Sequence, residues 1–428
     1  MLTLALAVLV GLSACQKGME DTDAREYSDI SIRFACESPL EVSTRANSDY
    51  YIDNERLVQG RSFVVNAWDT GAGFLTADPG SPDFMTSLPV LYQNNRDKGA
   101  NNTYTPVVSG VGKNMNNWLD QFWPRTGADY HYSFCAYYPY NADPAVTGIT
   151  PPTFPAGTVG QYVFAAKTDA GGDIAVDNMV DFCVSDVAND QVYGHTTSDY
   201  SGTVKLNFRH TLTRVRFKFL KASEVSESTV INLVDAQLLH VKTGGTLTAT
   251  YAQYVNPATS SAAPGEDRWG TTTLSWDSLT GDATYEMTLR GVDPDPDATP
   301  DPVKIPLPKE MDLLASDIFL MVPQAIVAPD PSDPHDPASP DPDAQAVLFK
   351  WSIGDDTPTE TLIYLSEAFK NPGDATPANI SWGTGESVTY TIVIRATPIQ
   401  FADSGVSIIV SVAHWPDEDV NGYYQIID

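Results

Sequence analysis

At 428 residues the chain has room for two domains, each with a full-sized core. Its formal net charge of −30 excludes a nucleic-acid partner, which needs a cationic footprint on phosphate, and equally excludes an electrostatic patch for anionic membrane. Thr, Val, Tyr, Ser, Gly and Pro dominate over helix formers, in short runs broken by turn residues, and this predicts an all-β chain.

Residues 2–12 are small or aliphatic apart from Thr3, a run too short for a spanning helix, which needs roughly 20 apolar residues. The run fits the apolar region of a secretory signal, with small residues following. No Lys or Arg precedes it, which predicts a start codon further upstream. Leu12-Ser13-Ala14-Cys15 resembles the lipobox of bacterial lipoproteins, in which Cys15 becomes the lipidated first residue. The acidic stretch that follows, with Glu20, Asp21 and Asp23, resembles the surface-export signal of Bacteroidetes lipoproteins.

Residues 15–28 read as a polar tether. Ile30, Ile32 and Phe34 then alternate with Ser31 and Arg33, the period-two pattern of a half-buried strand, and Pro39 stops it. The polar stretch 38–54 carries Thr44-Arg45-Ala46, in accessible backbone of the kind that proteases cut. Strands are expected at 62–68, 104–108, 130–140, 181–184 and 203–208, and a clear alternation runs over 208–219. An aromatic block from Trp118 to Tyr140 opens with a turn of helix near Trp123 and continues as a strand. Its rings serve either as core or as a platform for sugars; aromatics bury the most area per residue, and Tyr138 and Tyr140 are the two expected to be exposed. Along 214–219, Val215, Phe217 and Phe219 face one way, and Arg214, Arg216 and Lys218 face the other as a solvated outer stripe. His210 reads as a hydrogen-bonded structural residue.

The polar segment 221–229 is the expected domain boundary, dividing the chain into a signal peptide (1–14), a lipidated propeptide with the first strand (15–45), and two β-sandwich domains (46–221 and 222–428). Beyond the boundary, strands are expected at 230–241, 247–251, 272–276, 285–289, 305–307, 318–322, 346–353, 388–396 and 406–414. Residues 361–370 form either a short helix or an irregular crossing. In the last strand Val406, Ile408, Val410 and Val412 share a face. Two Asp-Pro segments, 293–302 and 329–343, are stiff solvated loops. Asp293, Asp295 and Asp297 imitate the start of a calcium loop, but Ala298 and Lys304 stand where it needs Gly and Glu.

With Cys15 taken by lipid, Cys36, Cys135 and Cys183 are an odd remainder, so no disulfide framework is expected. Cys135 and Cys183 either bridge or lie buried as free thiols. The chain has no G-x-S-x-G, H-E-x-x-H, P-loop, C-x-x-C or G-x-G-x-x-G motif, and its six histidines are scattered. No catalytic residues, metal or cofactor are expected, and the chain does not read as an enzyme.

Several parts recur in a shared order: Leu12 to Cys15; an apolar strand followed by Thr44-Arg45-Ala46; Trp123-Pro124, then Phe134-Cys135-Ala136-Tyr137-Tyr138-Pro139; Phe208-Arg209-His210-Thr211-Leu212-Thr213-Arg214; Trp382 through Ile392; and Ile408 to Trp415. In this order the chain resembles the fimbrillins, the Bacteroidales pilins assembled by the type V route. The resemblance implies two transthyretin-like β-sandwich domains, an outer-membrane lipoprotein precursor at the cell surface, and arginine-specific trimming after Arg45. It also implies polymerisation with other pilin subunits into a fimbrium by strand exchange, serving adhesion to a host or bacterial surface receptor. In that scheme the strand of Ile30, Ile32 and Phe34 is displaced, and the segment of Val406, Ile408, Val410 and Val412 is the candidate donor. The long Asp-Pro loops and the short tail after Trp415 depart from the pattern. A competing reading is a surface lipoprotein that binds glycans and never polymerises.

Overall fold

The computed structural model describes residues between 27 and 414, leaving out 38–51, 94–102, 107–121, 168–178, 193–202, 252–268, 292–304, 370–379, 396–405 and several shorter stretches. Cys15, Arg45, Ala46, the 293–297 carboxylates and the 415–428 tail lie outside the described residues. Almost every described element is a strand, as the composition predicts. Helix is confined to short pieces such as the 3-10 turn Leu365–Phe369.

The N-terminal strands close on themselves. Their order is Cys183–Ser185, Thr203–His210, Arg33–Glu37, Thr103–Pro106, Met85–Gln93, Ser62–Gly71, His131–Tyr138, and Cys183–Ser185 also pairs with His131–Tyr138. These seven strands therefore form a hydrogen-bonded ring, and Val187–Gln191 and Trp269–Gly270 extend it beyond His131–Tyr138. Its interior holds Ile32, Phe34, Phe63, Val65, Trp123, Phe134, Val204, Leu206 and Phe208, all buried. Alternation sends Val64, Trp68, Cys135 and Tyr137 the other way, into a larger core shared with Val215, Phe217, Leu233, Val347 and Tyr390. Ser62–Gly71 and His131–Tyr138 are thus apolar on both faces, because both faces are covered.

Among the described residues the C-terminal strands build three larger sheets and a two-stranded one, Ala325–Ile326 with Ile380–Ser381. Thr213–Lys221 lies between Leu314–Ser316, which carries Leu289–Gly291 on its other side, and Glu386–Ile394, which carries Val406–His414. Ile231–Val241 pairs with Ala346–Ile353, and that strand with Thr359–Tyr364. Thr158–Ala165, from the N-terminal half, pairs with Gly244–Tyr251, and that with Thr272–Thr280. Sheet membership changes at Thr211 and Leu212, where the chain leaves the ring and enters the six-stranded sheet.

Four local expectations change. The single strand expected at 30–34 is two, Tyr27–Ser31 and Arg33–Glu37, in different sheets. Arg214 and Lys218 are buried rather than a solvated stripe, since Thr213–Lys221 is a central strand flanked on both edges. Tyr138 is fully buried within the ring rather than exposed, and Tyr140 packs against the larger core. The 361–370 segment is neither a whole helix nor irregular; it is a strand to Tyr364 and then the 3-10 turn. The two thiols are free and buried, so the bridge does not form.

Candidate functional site: the buried N-terminal strand

Arg33–Glu37 is the stave that closes the ring. It runs parallel to Thr203–His210, in the register Arg33↔Thr203, Phe34↔Val204, Ala35↔Lys205, Cys36↔Leu206 and Glu37↔Asn207. On its other edge Phe34 pairs antiparallel with Tyr104. A parallel neighbour so early in the chain is unusual in a sheet otherwise built of antiparallel pairs. It means that this strand was not placed by a hairpin but by the side chains it inserts.

Those side chains are Ile32 and Phe34, both fully buried. Phe34 meets Phe63 edge-on at 6.2 Å and Phe134 at 5.6 Å, and Phe63 in turn meets Phe208 at 5.5 Å. Each fully buried large apolar side chain contributes roughly 1.5–3 kcal/mol, and edge-to-face pairs add roughly 0.5–1.5 kcal/mol. Before it, Tyr27–Ser31 leaves the ring and pairs with Phe122–Pro124. The helical turn expected near Trp123 is therefore a strand. Trp123 is fully buried beneath this pair and packs edge-on against Tyr132 and Phe134, at 6.1 Å each. The N-terminal segment thus adds Ile32 and Phe34 to the buried cluster that holds Trp123, Tyr132 and Phe134.

The wall beside the stave is braced independently of it. Asp186 accepts from Arg209 at 2.8 Å, from the Asn207 side chain at 2.9 Å and from the Thr272 backbone N–H at 3.0 Å, and Arg209 also donates to the Thr272 carbonyl. At the end of the same strand, buried His210 shares a 2.8 Å hydrogen bond with buried Asp181, which bears out its structural reading. Across the ring, Asn189 accepts from Ser133 at 3.1 Å and from the Leu75 N–H at 3.3 Å, and donates to Tyr251 at 2.8 Å. Both walls therefore keep polar anchors that do not pass through residues 27–37.

The proposed donor segment sits elsewhere. Val406–His414 pairs antiparallel with Glu386–Ile394 over nine matched positions, from Ile394↔Val406 to Glu386↔His414. It stands at the end of the six-stranded sheet, with one neighbour among the described residues. Ile30 lies in Tyr27–Ser31, outside the ring, so the three residues Ile30, Ile32 and Phe34 do not form one face of one strand. Sequence reasoning missed the partners of the stave, namely Phe63, Phe134 and Thr203–His210. The one available signal was the apolar alternation of 203–208, which matches that of 32–34.

No curated protein matches the chain. Among solved structures, a fimbrial protein of Bacteroides vulgatus is 15% identical with a TM-score of 0.46, over 90% of this chain and 99% of that one. The C-terminally truncated tip fimbrial protein Mfa3 of Porphyromonas gingivalis is 10% identical with a TM-score of 0.35, over 90% and 99%. Likenesses this distant decide nothing about the type of subunit. The sequence model of the fimbrillin-like family is a closer tie, for it matches residues 84–415, most of the chain. The chain belongs to the fimbrillin-like family, and its role is that of a non-enzymatic fimbrial subunit.

Proposed function

We propose that the chain is exported as an outer-membrane lipoprotein through Cys15, trimmed after Arg45 at the cell surface, and assembled into a fimbrium by donor-strand exchange, where it serves adhesion. The observation that carries this reading is the ring. Its closing strand belongs to the segment that a cut after Arg45 would release, and that segment is joined to the rest only through residues 38–51. Release leaves Thr203–His210 and Thr103–Pro106 with unpaired edges and uncovers the pocket of Ile32 and Phe34. An unpaired edge over an apolar groove recruits another strand. The braced walls favour a groove that persists until a donor arrives.

The donor comes from another subunit. The Val406–His414 segment suits the task because it has one ladder to leave, although it must leave nine pairs. The division into domains at 221 and 222 is part of the same reading, with Thr213–Lys221 contributing its hydrogen bonds to the C-terminal sheet. The glycan-binding alternative drew on the aromatic block and the lipid anchor, and the burial of Tyr132, Phe134 and Tyr138 weakens the aromatic half of it. The test is treatment of purified precursor with an arginine-specific protease, followed by gel filtration and electron microscopy. The reading expects release of the N-terminal segment and growth of polymer. A protein that is cut at Arg45, loses the segment and stays a stable monomer, alone and with other subunits, refutes it.

A further inference from the structure

Asp181, Cys183 and His210 converge in the interior. Cys183 and His210 are direct cross-strand partners, and Asp181 lies two residues before Cys183 and so on the same face. His210 Nδ1 is 2.8 Å from Asp181 Oδ1, and Cys183 Sγ is 3.5 Å from each of them. All three residues are buried, at 4%, 1% and 0% exposure for His210, Asp181 and Cys183. Oδ2 of Asp181 has no hydrogen-bond partner among the described residues. A buried carboxylate with one oxygen left bare is costly, and a cation on its other oxygen offsets the cost of burying its charge.

We propose that this triad is a structural zinc site, loaded as the chain folds. A carboxylate, an imidazole and a thiol are the three ligand types that zinc takes from proteins, at about 2.0–2.2 Å from oxygen and nitrogen and about 2.3 Å from sulfur. Tetrahedral zinc at those distances spaces sulfur about 3.5 Å from the oxygen and nitrogen ligands. Both sulfur edges of the triad have that length. Only the Asp181–His210 edge must open, by about half an ångström. Binding exchanges the Cys183 S–H bond for a sulfur–zinc bond and passes the proton to solvent. Thiolate and carboxylate then balance the charge of the ion. A water takes the fourth position. Burial of all three ligands keeps substrates away, which makes the ion structural.

Its place gives it a task. His210 ends the strand that walls the groove, and Thr211 and Leu212 carry the chain into the next sheet. That crossing is already held by Thr211 donating to the Phe182 carbonyl at 2.8 Å and by Trp276 donating to the Thr211 carbonyl at 2.8 Å. Zinc would clamp the two strands that meet there. The site stands apart from the assembly reading and does not depend on it.

The experiment is to refold the full chain from denaturant in Zn²⁺, remove free ion by gel filtration, and measure zinc by elemental analysis. Wild type and Cys135→Ala are expected to keep one ion per chain, and Cys183→Ala at least tenfold less. Wild type that emerges without zinc overturns the proposal, as does Cys183→Ala that keeps the wild-type amount. Should Cys183→Ala fail to fold, wild type refolded in Co²⁺ decides the matter. A thiolate-to-cobalt charge-transfer band supports the site, and folded protein without that band overturns it.

Discussion

Phe34 stands edge-on to Phe134, with ring centroids 5.6 Å apart and 74° between their planes, although the two residues reach this contact from strands that are not neighbours in the ring. The contact crosses the interior and ties the N-terminal stave to the central aromatic strand. Phe34→Ala should therefore destabilise the uncut precursor by about 3–5 kcal/mol, as a large-to-small change in a close-packed core does. Ile32→Ala should cost about 2–5 kcal/mol. Urea unfolding of the precursor measures both. The same substitutions should leave the stability of protein lacking residues 1–45 unchanged, because the altered side chains are gone.

Lipid attachment is a separate matter of residues 12–15. Cys15→Ser should abolish incorporation of a fatty-acid analogue and leave the full-length precursor, read by metabolic labelling and mass. Labelling that persists in the variant would place the anchor elsewhere.

The buried thiols make a prediction about alkaline pH. Burial pushes the Cys135 thiol from 9.0 up to about 12, and burial with Asp181 beside it pushes Cys183 up as well. Without zinc both stay protonated in the native protein, while the unfolded chain loses the proton above about 9. The native state thus binds more protons between about 9 and 12, and stability falls as pH rises through that window. For Cys135 alone the slope reaches about 1.4 kcal/mol per pH unit. Cys135→Ala should flatten part of this loss, seen as a smaller drop in the urea midpoint between pH 9 and 11. In native protein below pH 9, neither thiol should react with a disulfide reagent unless the protein is unfolded.

Much of the fold was legible because its strands carry a period of two. Residues 346–353 and 406–414 lie where the alternation puts them. Strands escaped notice where another demand overrode the pattern. Met85–Gln93 contains Pro89, and Thr158–Ala165 contains Gly160, both of which read as breaks. Val187–Gln191 buries Asn189, Asp190 and Gln191, polar residues that look like a loop until Ser133 and Tyr251 are seen to satisfy Asn189. The break at Ile32 was invisible, since the chain changes sheet without losing its alternation. The parallel pairing with Thr203–His210 and the meeting of Asp181, Cys183 and His210 depend on long-range register, which local pattern does not encode.

The stave should also be replaceable in trans. Once protein cut after Arg45 has lost its N-terminal segment, the groove retains its walls, held by Asp186, Arg209 and Thr272 on one side and by Asn189 on the other. It lacks only a strand that runs parallel to Thr203–His210 and fills the place of Phe34. A synthetic peptide of residues 27–37 supplies both, so adding it to freshly cut protein should raise the melting temperature and suppress polymerisation, by occupying the edge that a donor needs. The same peptide with Phe34→Ala should bind about two to four orders of magnitude more weakly, because the lost burial of about 3–5 kcal/mol then appears in the binding constant. A scrambled peptide should do nothing, and intact precursor should ignore all three because its own stave is in place. Thermal melts with peptide titration, read beside gel filtration, separate the outcomes. If the native-sequence peptide binds no better than the scrambled one while the cut protein remains folded, the groove has closed on itself, and the N-terminal segment is not the strand that a donor replaces.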